Sequence, residues 1–244
     1  MIRNKLSAIV GVALRGHPKL NGELGRPQGA APTIIMTLVK ICGITNLDDA
    51  LAAVAAGADA LGFNFYKPSP RYITPQHARE IVGQLPDSLL TVGVFVNQES
   101  PAAVRSIAEE AGVGALQLHG DEPPTYCGEL ATDYYVIKTL AVSDGFDVET
   151  AQAYDVEAIM LDTRHNSLRG GTGRVFDWSV AQLVSQTVSK LFLAGGLSPE
   201  NIENAIKTVR PFAVDACSAL ENKPGKKNHD RVRVFVNTVR RVAP

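Results

Sequence analysis

The chain has 244 residues, of which 45% are hydrophobic and 20% are charged, and its formal net charge is −1. This composition is typical of a soluble globular protein with a large core, and the balanced charge argues against nucleic acid or a membrane surface as a partner. Cys42, Cys127 and Cys217 are widely separated, which suits neither a disulfide framework nor a metal-binding pattern. We therefore expect a reducing, cytoplasmic location.

Residues 1–36 differ in composition from the rest of the chain. They contain five basic residues and one acidic residue, which gives +4, and residues 37–244 carry the remaining −5. The stretch GHPKLNGELGRPQGAAP is rich in Gly and Pro and has no hydrophobic period, which predicts a flexible tail. The apolar run LSAIVGVAL is too short to cross a bilayer. We predict a flexible basic extension over residues 1–36, which is either an incorrectly assigned start before Met36 or a targeting segment.

From Leu38 onward, short apolar runs alternate with amphipathic stretches. The runs, predicted to be strands, are LVKIC, ALGFNF, LTVGVFV, ALQLH, YYVIKTL, AIMLD, LFLAG and FAVDA. Several are apolar without alternation, as strands buried on both faces are. The stretches between them, and one after the last run, predict eight helices.

Start and stop signals support these helices. Asn46, Ser100 and Ser198 are predicted N-cap residues, and Gly57 and Gly112 end their helices. Eight strand and helix units over residues 37–244 predict a single-domain α/β fold, the (β/α)8 TIM barrel.

Two reactive side chains lie at predicted strand ends, where the catalytic groups of such barrels are found. Cys42 ends the first strand, and it is either a small core residue or an activated thiol. Asp162 ends the sixth strand, before a long Gly-rich loop, and it either orders that loop or acts as a protonated acid. An acid and a base facing each other suit an isomerase that needs no cofactor or metal. The other polar residues at strand ends, most of which we expect to anchor loops, are Asn64, Asn97, His119, Lys138 and Asp215.

Two further features suggest how an anionic substrate would be held. Gly195 and Gly196 precede a predicted helix N-terminus after strand seven, where backbone N–H groups favour a phosphate. A short extra helix, CSALEN, is expected after strand eight. Arg71, in the proline-containing loop YKPSPRYI, is either a solvated loop residue or a bidentate partner of a carboxylate.

The region from Leu38 onward resembles the phosphoribosylanthranilate isomerase family of tryptophan biosynthesis. The matching stretches, in chain order, are VKICGIT, GADALGFNF with SPRYI, GVFVN, LQLHGDE, LDTRHNSLRGGTG with FDW, LAGGLSPEN and VDACSALE. The resemblance implies an Amadori rearrangement of a phosphorylated aminosugar, N-(5-phosphoribosyl)anthranilate, into its 1-deoxyribulose isomer. It leaves the choice between a monomer and a homodimer open.

The same resemblance implies a role for each site residue. Asp162 corresponds to the general acid that opens the ribose ring, and Cys42 to the general base that removes the proton from C2. Arg71 would hold the anthranilate carboxylate. The residues implied to surround the phosphate are Gly195, Gly196, Asp215 and Ser218.

The chain departs from the family pattern after strand eight. The family usually reads closer to VDVSSGVE, whereas here Cys217 and Ala219 replace a serine and a glycine. Loss of that glycine would tighten the phosphate loop if the position needs a positive φ. The alternatives are the histidine-pathway sugar isomerase, a metal-dependent ribulose-phosphate epimerase and a barrel that binds phosphate without catalysis. The sequence has Cys42 and Asp162 but no evident half-barrel repeat and no paired His and Asp metal ligands. These features favour phosphoribosylanthranilate isomerase over the three alternatives.

Overall fold

The computed structural model describes residues 36–142, 145–162 and 178–242. Residues 1–35 of the predicted extension and most of the Gly-rich loop after Asp162 lie outside the described residues. The barrel strands are β1 (Leu38–Cys42), β2 (Ala60–Asn64), β3 (Leu90–Phe95), β4 (Ala115–Leu118), β5 (Tyr135–Ala141), β6 (Ala158–Asp162), β7 (Leu191–Ala194) and β8 (Ala213–Ala216). The α-helices in the described residues are α1 (Leu47–Ala56), α2 (Pro75–Val82), α3 (Pro101–Ala111), α4 (Pro124–Ala131), α5 (Ser179–Ser185), α6 (Ile202–Val209) and α7 (His229–Arg241).

The eight strands form one closed parallel barrel in chain order, which confirms the predicted fold. Closure is made by β8, which pairs with β1 in a register that sets Lys40 beside Asp215 and Ile41 beside Ala216. Cys42 follows Ile41 and Cys217 follows Ala216, and the thiols of these two cysteines share a hydrogen bond at the barrel mouth. Groups that are far apart in the sequence therefore meet where the first and last strands join.

Successive side chains of each strand point alternately into the barrel and toward the helices. The outward residues, such as Val39 and Ile41, belong to a large apolar core shared with the helices. The inward residues form a smaller cluster that includes Ala60, Ile137 and Met160. Because Cys42 and Asp162 alternate with outward neighbours in their strands, both face the inside of the barrel at its mouth.

The helix signals are confirmed at most positions. The side chains of Asn46 and Ser100 accept hydrogen bonds from backbone N–H groups of the first turns of α1 and α3. Gly57 and Gly112 end these helices in the left-handed conformation, at φ of 96° and 71°. The prediction for Ser198 is wrong, since the Asn201 side chain accepts the Ser198 N–H and closes a turn first. Helix α6 consequently begins at Ile202.

Two connections differ from the predicted pattern. The segment between β5 and β6, predicted as a helix, contains a 3-10 helix over Val148–Ala153. The expected short helix after β8 is a 3-10 helix over Ser218–Leu220. An unpredicted antiparallel hairpin follows it, with β9 over Glu221–Lys223 and β10 over Lys226–Lys227. This hairpin brings Glu221 and Lys227 to the barrel mouth.

No helix among the described residues is long and apolar enough to span a bilayer.

Candidate active site

A cavity of about 470 Å³ opens at the carboxyl ends of the strands. Its volume falls within the range of small-molecule sites, about 300 to 1,000 Å³. The sequence-predicted site residues all line it, namely Cys42, Arg71, Asp162, Gly195, Gly196, Asp215 and Ser218. Among the residues that the structure describes, no group of His, Cys, Asp or Glu side chains is arranged to hold a metal ion.

The Cys42 thiol lies on one wall of this cavity. Gly43 turns the chain out of β1 at a φ of 77°, a conformation that suits glycine, so Cys42 is the last side chain of the strand. A hydrogen bond from the Cys217 thiol, together with the charges of Lys40 and Lys227, holds the pKa of Cys42 well below its usual range, although burial opposes ionisation. Cys42 is therefore suited to act as a thiolate.

The same contact has the opposite effect on Cys217. Hydrogen bonding to Cys42, then burial, raises the pKa of the Cys217 thiol. Cys217 thus stays protonated, and its S–H group donates a hydrogen bond to the Cys42 thiolate. This pair could not be predicted from the sequence, because Cys42 ends the first strand and Cys217 follows the last one, 175 residues later.

A buried lysine and aspartate lie directly beneath the two thiols. Lys40 Nζ donates to Asp215 Oδ1 at 2.8 Å, and the Lys40 side chain is fully buried. Burial disfavours the charge on Lys40, but Asp215 and the Cys42 thiolate raise its pKa above the ordinary value. Burial, opposed by Lys40, raises the pKa of Asp215 to about 6. Lys40 is therefore a fixed positive charge under the Cys42 thiolate.

Sequence reasoning did not identify Lys40 as a site residue. Its signal was available in LVKIC, where the lysine occupies an inward position of an otherwise apolar strand. Lysine is almost never fully buried without a partner. The partner, however, lies 175 residues away in the chain.

Asp162 ends β6 on the wall of the cavity, and its side chain is mostly buried. His119 Nε2 lies 3.4 Å from Asp162 Oδ2. On the other side of the ring, Gln117 Nε2 lies 2.9 Å from His119 Nδ1. Because the Gln117 amide nitrogen can only donate, Nδ1 is the acceptor in this contact and the ring N–H lies on Nε2, toward Asp162. His119 and Gln117 thus orient the carboxyl group.

Arg71 also reaches the cavity, where it is held by an acidic partner. Its Nε and Nη2 donate to the Glu221 carboxylate at 2.6 to 3.0 Å. Lys227 Nζ donates to the same carboxylate at 2.9 Å. Although burial opposes ionisation of Glu221, the bonds from Arg71 and Lys227 lower its pKa. Glu221 therefore fixes the direction of the Arg71 guanidinium group.

The loops after β7 and β8 form the remaining wall of the cavity. Gly195 and Gly196 have φ of 90° and 71°, which lets the backbone turn sharply at the end of β7. Within the described residues, the N–H groups of Gly196 and Ser218 donate to no protein acceptor. Such N–H groups suit an anion. The only described non-glycine residues with positive φ are Asn97 and Arg210, so Ala219 causes no backbone strain in this loop.

The remaining polar residues at strand ends hold loops in place. Asn97 bonds to the backbone and side chain of Asp121 and so ties two loops together. Asn64 accepts the Tyr66 N–H and donates to Ser69. Lys138 points away from the barrel interior and is paired with Glu122 at 2.7 Å. These residues anchor loops, and of the three only Asn64 also lines the cavity, as His119 does.

Comparison with known proteins identifies relatives that span nearly the whole barrel. A family model described as N-(5'phosphoribosyl)anthranilate (PRA) isomerase matches residues 39–238. The N-(5'-phosphoribosyl)anthranilate isomerase of Thermotoga neapolitana is 50% identical over 201 residues, which cover 82% of this chain and 97% of the relative. The enzyme of the same name from Geobacter sulfurreducens is 46% identical, with the same coverage of both chains.

Solved structures agree with these relatives. The crystal structure of phosphoribosyl anthranilate isomerase from Thermotoga maritima has a TM-score of 0.76 and 44% identity, and the match covers 84% of this chain and 99% of the other. A second matching structure is of phosphoribosyl anthranilate isomerase in complex with reduced 1-(o-carboxyphenylamino)-1-deoxyribulose 5-phosphate. It has a TM-score of 0.74 and 42% identity, with the same coverage of both chains.

Proposed function

Since the chain belongs to the N-(5'-phosphoribosyl)anthranilate isomerase family, and is an isomerase of tryptophan biosynthesis, we propose the reaction that it performs and the residues that perform it. The enzyme converts N-(5-phosphoribosyl)anthranilate into 1-(2-carboxyphenylamino)-1-deoxyribulose 5-phosphate. The observation that carries this proposal is the thiol of lowered pKa that shares one cavity with the Asp162 carboxyl group. The solved relative that binds a reduced carboxyphenylamino-deoxyribulose phosphate supports the choice of product.

Asp162 acts first, as the general acid. It protonates the ribose ring oxygen, and the ring opens to a Schiff base between the sugar and the anthranilate nitrogen. The carboxylate that remains can accept a hydrogen bond from His119 Nε2, 3.4 Å away in the free protein. This contact would stabilise the charge that Asp162 acquires in the step.

Cys42 acts second, as the general base. Its thiolate removes the proton from ribose C2, and the resulting enolamine tautomerises to the ketone. Lys40 and the Cys217 thiol favour the thiolate before the reaction begins. A base must be deprotonated and an acid protonated at the same pH, so the two groups need opposite surroundings. A charged amine and a thiol donor surround Cys42, whereas Asp162 faces the imidazole of His119.

The rest of the cavity holds the two ends of the substrate. Arg71, directed by Glu221, binds the anthranilate carboxylate through the part of its guanidinium group that Glu221 does not occupy. Backbone N–H groups at Gly195, Gly196 and Ser218 bind the phosphate. We propose that Asp215 does not contact the phosphate directly. It accepts a hydrogen bond from Lys40, and a carboxylate would repel the phosphate dianion. It positions Lys40.

We also propose that the enzyme works in the cytoplasm, where its thiols stay reduced. As a partner it needs only its small-molecule substrate. A relative from Thermotoga maritima is described as dimeric, and a monomer and a homodimer both remain compatible with this chain.

Steady-state kinetics with phosphoribosylanthranilate test the assignment. We expect Asp162→Asn and Cys42→Ser each to lower kcat by about 10² to 10⁴, the usual contribution of a positioned acid or base. The matched controls are Asp133→Asn at an exposed site and Cys127→Ser in α4, both outside the cavity. Circular dichroism checks that all four variants fold. Wild-type kcat in either site variant would refute its role, and no turnover by the wild type would refute the substrate.

A further inference from the structure

Cys217 places a second thiol beside the reactive one. Ile41 pairs with Ala216 across β1 and β8, Cys42 and Cys217 are the next residue of each segment, and their two thiols share a hydrogen bond. Neighbouring strands lie about 4.8 Å apart. This spacing falls inside the Cα separation of about 4.4 to 6.8 Å that a disulfide spans. The contact between the two thiols and this spacing make a bond between Cys42 and Cys217 the inference to test.

The surroundings favour chemistry at this pair. Both cysteines are partly exposed and line the cavity, so a small solute can reach them. Lys227 Nζ lies 3.8 Å from Cys217 Sγ, and Lys40 lies beneath Cys42. Positive charge next to an accessible thiol, with a second thiol in contact, is typical of cysteines that are oxidised reversibly. Cys127, by contrast, is fully buried and apart from the cavity.

We propose that Cys42 and Cys217 form a reversible oxidation site, which hydrogen peroxide converts into an intramolecular disulfide. In the first step the Cys42 thiolate attacks one peroxide oxygen and the O–O bond breaks. The products are a sulfenic acid on Cys42 and hydroxide, which takes up a proton to become water. In the second step the Cys217 sulfur attacks the Cys42 sulfur, its thiol proton is lost, and the sulfenic oxygen leaves as water. The protein loses two electrons and two protons, which together are two hydrogen atoms, and the peroxide is reduced to two molecules of water.

The disulfide would also stop turnover, and this consequence rests on the proposed role of Cys42. In the disulfide, Cys42 is no longer a thiolate and cannot remove the proton from C2. Reduction by a thiol would regenerate both cysteines and the activity.

The test is to treat the reduced full-length protein with a small excess of hydrogen peroxide and to measure its intact mass. The protein is then denatured, its remaining thiols are blocked with N-ethylmaleimide, and its tryptic peptides are analysed. We expect the wild type to lose the mass of two hydrogen atoms and to keep one of its three cysteines open to alkylation after denaturation. The peptides carrying Cys42 and Cys217 should be linked. Dithiothreitol should separate them and restore the original mass.

Two serine variants control the experiment. Cys127→Ser should form the link as the wild type does. Cys217→Ser lacks the second thiol, so its Cys42 should advance to sulfinic or sulfonic acid, which dithiothreitol does not reverse. Direct conversion of Cys42 to these acids in the wild type, or no modification of either cysteine, would overturn the proposal. A linked wild type that still turns over substrate would uphold the oxidation site and refute Cys42 as the base.

Discussion

Replacing Gly62 with alanine tests how exactly the Cys42 thiol must be placed. Gly62 pairs with Cys42 across β1 and β2. A Cβ at this position would lie 2.7 Å from Cys42 Sγ and 3.1 Å from Lys40 Nζ. Unbonded heavy atoms prefer a separation of about 3.5 to 4.0 Å, so the sulfur must move by about 1 Å. The Cys42 backbone is also close, at 3.2 Å, which limits other ways of relieving the contact.

We expect Gly62→Ala to lower kcat by about 10²-fold, the loss that a 1 Å misplacement of a reacting group can cause. The overpacked core should also lose about 1 to 3 kcal/mol of unfolding free energy. Steady-state kinetics and urea unfolding measure the two quantities.

The control is Gly128→Ala, where an added Cβ meets nothing within 4 Å. In helix α4 it should keep kcat and raise stability by up to about 1 kcal/mol. A Gly62→Ala enzyme with wild-type kcat would refute the idea that the position of Cys42 Sγ limits the rate.

Three further predictions concern the charges around the thiol and the substrate. Cys217→Ala removes the hydrogen-bond donor that lowers the pKa of Cys42. Because the proposed base is the thiolate, the acidic limb of the pH profile of kcat should move to higher pH. An unmoved limb would contradict this explanation of the lowered pKa. Arg71→Lys should raise KM by about tenfold or more with a smaller change in kcat, because an ammonium group cannot bind a carboxylate bidentately; an unchanged KM would remove Arg71 from substrate binding. Lys40→Met should cost about 3 to 5 kcal/mol of unfolding free energy by leaving Asp215 buried without its partner, and Lys40→Met with Asp215→Leu should recover much of that loss. Recovery of kcat as well in that double variant would show that the Lys40 charge is not needed by Cys42.

The sequence alone determined the architecture and the main candidates for the chemistry. Hydrophobic periodicity is a local property, so eight short apolar runs with intervening amphipathic stretches sufficed to predict a barrel. In a barrel the carboxyl end of every strand lies at the same mouth. Cys42 and Asp162 could therefore be assigned to one site without knowing any contact between them.

The contacts that tune these groups were decided by the tertiary structure. The bonds from Lys40 to Asp215 and from Arg71 to Glu221 join residues 175 and 150 positions apart in the chain, and Cys42 meets Cys217 in the same way. Each depends on β8 closing against β1, or on the hairpin that follows β8. Local periodicity does not indicate which side chains contact each other where β8 and the hairpin after it pack against β1. The sequence thus located Cys42 and Asp162 at one mouth, and the closed barrel supplied the neighbours that lower the pKa of Cys42.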